Sequence, residues 1–404
     1  VLLPPGAAAG GRGGARPRRP APLAPAMGVG GDEEEAPQWE PACKVADDDL
    51  KAVGAAFRAV ACASDLVIAA SSRPVLKVWK VAQAKLADLQ KLSHGAVGSS
   101  CVEVSGNGVL MLACSDDGAI TLWDLRERRL AGELQASIPT AWTAKFLVDG
   151  YRIVSGGPSG SVCFWDLRMS RLQNEIAANL AEEPDPKRHK REKGSRAHPE
   201  LGARKQAVGI YSLALSGDGM LLACGRSSGD VSIMRVQEQQ WVGADVSAHQ
   251  AEDASPVRAL AFDSASRLLL SGGDDSHVCL LDAASLARKR PGGQAAGSVA
   301  ASASAKLERF SAHRSWVTSL SVCPDPTRRV VLTTSWDSTV KLWDYRTQRL
   351  LRTYKEHAES VFASSFQPAD GHFFVSAGSD AQVALYTAKE PGNEAALVPV
   401  SGPS

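Results

Sequence analysis

The chain has 404 residues, with 45 Lys and Arg against 44 Asp and Glu and a formal net charge of +1. That balance creates no field to hold a nucleic acid backbone, so no direct nucleic acid binding is expected. Hydrophobic residues make up 44%, ample for a core, yet no run reaches the roughly 18 apolar residues of a membrane-spanning helix, and no membrane partner is expected.

Residues 1–36 are expected to form a disordered N-terminal extension. Val1 to Pro25 is rich in Ala, Gly, Pro and Arg and reads as untranslated sequence read through, a flexible arm or a transit-like segment; Met27 is the expected start. Its apolar stretches are too short and too interrupted by Pro for a signal-peptide core, and Asp32 to Glu35 reads as a solvated acidic patch. Ordered structure is expected over 37–388, followed by a flexible tail at 389–404.

Within that span seven segments end alike, an alternating apolar run closing on a large apolar residue, usually aromatic, and a polar one. In chain order they end at Trp79-Lys80, Trp123-Asp124, Trp165-Asp166, Met234-Arg235, Leu281-Asp282, Trp343-Asp344 and Tyr386-Thr387. Four of the six intervals are 42–47 positions and the other two are 69 and 62. The surpluses fall on loop insertions near 175–206 and 287–305: Ala181 to Gln206 is polar and charge-rich, Arg288 to Ala305 is Gly/Ala/Ser-rich, and neither alternates. A period near 43 residues, filled with strands, predicts an all-β, seven-bladed β-propeller of the WD-repeat type.

Repeat six shows one unit in full. Trp316 to Val322 alternates as an inner strand, Arg329 to Thr334 as a second, Thr339 to Asp344 as a third and Leu350 to Tyr354 as an outer strand. The seventh repeat stops at its third strand near Tyr386, which would leave a sheet edge open. Trp39 to Val45, just ahead of a first inner strand expected at Ala52 to Val60, is positioned to complete the last blade; Pro41 is tolerable on an edge strand.

His313, Thr333, Asp337 and Trp343 resemble the set that, in WD-repeat families, links indole, hydroxyl, imidazole and a buried carboxylate. The resemblance carries that role to His357, Ser376, Asp380 and Tyr386 in repeat seven, to His249, Ser271 and Asp275 in repeat five, and to His94, Asp117 and Trp123 in repeat two, where Ala113 replaces the hydroxyl. Such a set also suggests a catalytic triad. A triad, however, needs an exposed nucleophile beside one oxyanion hole, whereas these sets recur with the repeat, as buried polar groups that every blade must satisfy. No catalytic residue is assigned, and without a phosphate-cradling loop or metal-ligand spacing no cofactor or metal is expected. The eight cysteines (43, 62, 101, 114, 163, 224, 279, 323) show no C-x-x-C and read as reduced, structural thiols.

The runs 140–168 (TAWTAKFLVDGYRIVSGGPSGSVCFWDLR) and 310–386 (opening FSAHRSWVTSLSV), together with the order of blade endings, resemble the WD-repeat subunit of the superkiller (Ski) complex, also a subunit of the Paf transcription-elongation complex. Asp47 stands where that family usually has His, and the Met-Arg ending and both insertions depart from it. The resemblance implies a non-catalytic interaction scaffold. It would join a tetratricopeptide scaffold and an RNA helicase in 3′ to 5′ mRNA decay with the exosome, or accompany RNA polymerase II with Paf complex subunits in elongation and histone modification. It would be monomeric within these hetero-oligomers, in cytoplasm and nucleus. A WD-repeat substrate receptor of a ubiquitin ligase, or another signalling scaffold, shares the fold and differs in partners.

Trp142, Tyr211, Arg258, Trp316 and Phe362 are expected at matching positions where inner strands open on one rim, with Trp336 in a tight turn beside them. Aromatic and Arg side chains there either make binding hot spots or pack between blades. The run KRHKREK (187–193) reads as a nuclear-import signal or as a solvated loop beside Glu182, Glu183 and Asp185.

Overall fold

A computed structural model of the chain describes residues 39–93, 97–134, 141–169, 171–177, 208–249, 255–287 and 306–388. The extension with Met27, His94, most of both insertions including the basic run, and the C-terminal tail lie outside the described residues.

The described residues form seven four-stranded antiparallel sheets. In blade 6 the strands run Val317–Val322, Val330–Ser335, Val340–Asp344 and Arg349–Tyr354, from the channel outward. Inner strands of successive blades lie side by side, and that of blade 7 (Val361–Phe366) returns to that of blade 1 (Phe57–Ala63), closing the ring.

Burial follows position in the blade. The second strands Val330–Ser335 and Phe373–Gly378 are buried at every residue because neighbouring blades cover both their faces, whereas the outer strand Arg349–Tyr354 is exposed at Arg349 and Leu350, half-buried over the next three residues and buried only at Tyr354. Apolar side chains gather in seven clusters, one at each boundary between blades. At the boundary of blades 5 and 6, for example, Trp343 and Val331 pack against Leu270 and Val278. Each blade thus buries its apolar faces only through its neighbours, as in other repeat architectures.

The sequence unit is one strand out of phase with the blade: it carries the outer strand of one blade and the first three of the next. The first outer strand, Trp39–Ala46, therefore belongs to blade 7, where it pairs antiparallel with Gln382–Ala388 from Trp39↔Ala388 to Ala46↔Gln382. Trp39 anchors it, fully buried, its Nε1 donating to the Gly371 carbonyl at 3.1 Å and its carbonyl accepting from the Tyr354 hydroxyl at 3.0 Å. Its ring meets Phe366 edge-on at 5.7 Å, and the Arg328 guanidinium lies 5.4 Å from its centre. The register shifts between Pro41 and Cys43, so the residue that lacks an N–H sits beside a bulge on the outermost strand.

The expected inner strand at Ala52 to Val60 is displaced. A short helix, Asp48–Ala52, comes first, and the strand is Phe57–Ala63. Asp47 starts that helix: its carboxylate accepts from the Leu50 N–H at 3.0 Å, and Asp48 and Asp49 complement the positive end of the first turn. Alternation of small and apolar residues did not register the cap.

Trp39→Ala should lower the unfolding free energy by about 3–5 kcal/mol, the range for truncating a buried aromatic, and deletion of residues 37–46 by at least as much. Denaturant titration reads both; an unchanged midpoint for Trp39→Ala would show that this strand does not secure the ring.

Candidate functional site

Two layers of side chains define the channel mouth, a buried polar network and an exposed rim above it. The network begins in the turn between second and third strands. Asp117, Asp275, Asp337 and Asp380 each accept the N–H two residues on, at 3.1–3.2 Å. The residue between is left-handed: Gly118, Ser276, Ser338 and Ala381 have φ of 87°, 63°, 65° and 55°. In the corresponding turn of blade 4 only Gly fits, since a Cβ on Gly229 would lie 2.2 Å from the His249 carbonyl oxygen.

In blade 6 the Trp343 indole donates to Thr333 Oγ1 at 3.0 Å, Thr333 bonds His313 Nε2 at 2.7 Å, and His313 Nδ1 reaches Asp337 at 3.1 Å. Blade 7 repeats this with Tyr386, whose hydroxyl is 3.3 Å from that of Ser376; Ser376 bonds His357 at 2.8 Å, and His357 bonds Asp380 at 3.0 Å. In blade 5 His249 joins Ser271 at 2.9 Å and Asp275 at 2.8 Å, and Leu281 contributes only bulk. In blade 2 His94 lies outside the described residues, and Trp123 bonds Thr121 of its own strand at 3.3 Å because Ala113 offers no hydroxyl.

The histidine side chains of blades 5, 6 and 7 are fully enclosed. Burial holds the His313 imidazole below its ordinary 6.5, against the pull of Asp337. Burial alone would raise the Asp337 carboxyl, but hydrogen bonds from His313, Thr339 and the Arg314 backbone hold it well below 3.8; Asp275 and Asp380 are lowered in the same way by His249 and His357. In blade 6 a neutral His313 that donates to Asp337 and accepts from the Thr333 hydroxyl leaves the Thr333 oxygen to accept from Trp343, so every member of that chain is satisfied.

Above the network six of the seven inner strands kink. A register shift leaves one residue unpaired at Arg58, Ser100, Tyr211, Arg258, Thr318 and Phe362, and Trp142 holds the same place before Thr143, its N–H on the Gly156 carbonyl at 2.9 Å. Such bulges re-aim side chains. These seven line a cavity of about 290 Å³ at the channel mouth. Trp316 does not share the bulge position: Thr318 occupies it in blade 6, and Trp316 stands two residues earlier, its carbonyl accepting from the Trp336 N–H.

The displacement joins the arc rather than breaking it. Trp142 and Tyr211 are 5.1 Å apart, the Arg258 guanidinium lies 5.3 Å from Tyr211 and 4.7 Å from Trp316, Trp316 meets Trp336 at 4.9 Å, and Trp336 meets Phe362 at 5.7 Å. All six residues singled out from the sequence therefore form one continuous surface over blades 3 to 7. Asp274 fixes Arg258 through two hydrogen bonds. Trp316 and Trp336 remain 38% and 47% exposed. On the other side of the mouth Arg58 pairs with Asp116 at 2.6 Å.

The family model for the WD domain, G-beta repeat, matches residues 88–124, 244–282 and 304–344. Each match runs from the outer strand of one blade to the third strand of the next. The chain is a propeller with WD40 repeats. It is 24% identical over 207 residues to the WD repeat-containing protein SL1-17 of Schistosoma mansoni, covering 51% of this chain and 58% of that protein. It is 33% identical over 79 residues to the ribosome biogenesis protein WDR12 homolog of Chlamydomonas reinhardtii, covering 19% of this chain and 18% of that protein. The chain thus spans less than two thirds of the length of either relative.

Other polar contacts of the WD-repeat propeller escaped the sequence reading. Trp165 donates to Ser155 at 2.9 Å. The signal was present, since Ser155, Thr333 and Ser376 all lie ten positions before their aromatic partner. In blade 4 Arg226 pairs with Asp245 at 2.9 Å, and Ser232 bonds the same carboxylate at 2.7 Å. In blade 1 Asp47 pairs with Lys77 at 2.6 Å. Ala69 there supplies no hydroxyl, and the buried Trp79 indole nitrogen has no hydrogen-bond partner among the described residues.

Thr333→Val would strip the shared hydroxyl from Trp343 and His313; unsatisfied buried groups cost about 1–3 kcal/mol each, so a drop of that size is expected in chemical denaturation. Asp337→Ala and Asp380→Ala should fall in the same range, and a loss below about 0.5 kcal/mol in all three would remove the network from the stability of the fold.

Acid acts on these groups in one direction. The unfolded chain binds a proton at His313 near 6.5 while the folded state resists it, and unfolded Asp275, Asp337 and Asp380 protonate near 3.8 ahead of the folded ones. Stability is expected to be full above 6.5, to fall as pH drops through it, and to fall again below 3.8; melting temperatures from pH 8 to 3 that stay flat or rise with acid contradict this.

Proposed function

We propose that this protein is a non-catalytic interaction scaffold and that the arc from Trp142 to Phe362 is where a partner segment docks. The observation that carries this reading is the arc itself: two exposed Trp side chains, in contact with each other and flanked by an ion-paired Arg, at the mouth of a ring whose other large aromatics are mostly enclosed. Aromatic and Arg side chains held rigid before binding are the types from which hot spots form, because little entropy is lost on contact. WD40 propellers typically act in this way, as scaffolds.

The partner class we propose is the tetratricopeptide scaffold of the superkiller complex, together with its RNA helicase, in 3′ to 5′ mRNA decay; the Paf complex is a second assembly with the same subunit. The blade order and the stretches 140–168 and 310–386 support this reading. We place the protein in cytoplasm and nucleus on the same basis.

Affinity purification of a tagged chain from its own cells tests the assignment. A tetratricopeptide protein with a helicase, or polymerase-associated factors, is the expected company; cullin adaptors or ribosome-assembly factors would overturn it. Trp316→Ala and Trp336→Ala should each weaken capture of the tetratricopeptide partner by about 2 kcal/mol, roughly thirtyfold, with Trp142→Ala weakening it in the same direction. Folded variants of unaltered affinity would move the interface off this rim.

A further inference from the structure

Blade 2 holds two thiols that neither the network nor the rim uses. Cys101, on the inner strand Ser99–Val104, and Cys114, on the second strand Leu110–Ser115, are direct cross-strand partners. Residues so opposed share a face of the sheet with Cα atoms about 4.5–5.5 Å apart, inside the roughly 4.4–6.8 Å that a disulfide spans. Cys114 is fully buried, while Cys101 is half-buried and lines the channel cavity beside Glu103 and Lys145, whose charges pair with each other.

The two sulfurs are chemically unequal. A hydrogen bond from the Cys114 thiol brings Cys101 down from the ordinary 9.0 to about 7; burial opposes this and the Lys145 ammonium assists it. The same contact and burial push Cys114 well up. Among the other cysteines burial raises Cys62 to about 12 and also raises Cys224 and Cys323. A half-buried cysteine with thiolate character beside an enclosed thiol is the arrangement of a reactive and a resolving cysteine.

We propose that Cys101 and Cys114 are a peroxide-sensitive dithiol at the boundary of blades 2 and 3, with Cys101 at the edge of the channel cavity, which hydrogen peroxide converts to a cross-strand disulfide. The Cys101 thiolate attacks one peroxide oxygen, the O–O bond breaks, and the departing hydroxide takes up a proton to leave as water, with Cys101 now a sulfenic acid. Cys114 attacks that sulfur; the S–S bond forms as the S–O bond breaks, and the expelled hydroxide leaves with the Cys114 proton as a second water. Two thiols give up two electrons and the peroxide accepts two. The bridge lies next to Ser100, whose hydroxyl donates to the Trp142 carbonyl at 2.9 Å, so the oxidised pair sits directly beneath the docking rim.

The test uses the full chain, reduced, then exposed to hydrogen peroxide at pH 7, alkylated and digested for mass spectrometry. Expected is a dithiothreitol-reversible peptide pair joining Cys101 to Cys114, the remaining six cysteines still alkylated. Before oxidation, iodoacetamide should label Cys101 at least about tenfold faster than Cys62, since a thiol titrating near 7 is half thiolate at that pH whereas one pushed to about 12 is almost wholly protonated. In Cys114→Ser, Cys101 should stop at a sulfenic acid that dimedone traps. The proposal is overturned if the wild-type chain keeps all eight thiols, bridges a different pair, or carries Cys101 to sulfinic acid without a bridge.

Discussion

A four-stranded blade has two edges and two apolar faces, and it is not stable alone; the ring exists because each face is covered by a neighbour and the last blade is completed by the first strand of the chain. The pairing of Trp39–Ala46 with Gln382–Ala388 is the contact on which the rest depends. Since the same strand leads through the Asp48–Ala52 helix into blade 1, the boundary between blades 7 and 1 is crossed by covalent chain like the other six. A sequence unit in phase with the blade would leave that boundary to side-chain packing only. The fully enclosed Trp39, bonded at its indole and at its carbonyl, makes the exchange specific as well as apolar.

Within the ring the His and Asp side chains set the turns. Each carboxylate both shapes the turn, by accepting the N–H two residues on, and receives the imidazole from the preceding connection, tying consecutive segments at the channel mouth. Blades that lack the set use other pairs: Asp47 with Lys77 in blade 1, Arg226 with Asp245 in blade 4. What recurs is the need to satisfy polar groups buried between sheets, met by whichever residues reach.

Rigid turns and bulged inner strands then hold the rim residues where they can touch across blades. Thr318 shows the coupling: its hydroxyl bonds both Thr334 of its own blade and the Val361 carbonyl of the next, at 2.8 and 2.6 Å, directly beneath the contact between Trp336 and Phe362.

The sequence by itself determined the number of blades, the order of strands within them and the closing strand, because these rest on local periodicity and on counting strands against edges. It also marked the His, Ser or Thr, and Asp members of blades 5 to 7, whose spacing is set within one repeat. Tertiary structure decided which blades complete the network and how the rim is joined. Trp123 turns to Thr121, Arg226 finds Asp245, and Trp316, two residues off the bulge, still meets Arg258 of one neighbouring blade and, through Trp336, Phe362 of the other. The contacts of Trp316 with Arg258 and of Trp336 with Phe362 join residues of different blades across the curvature of the ring, and no pattern within a single repeat encodes how far the next blade is turned.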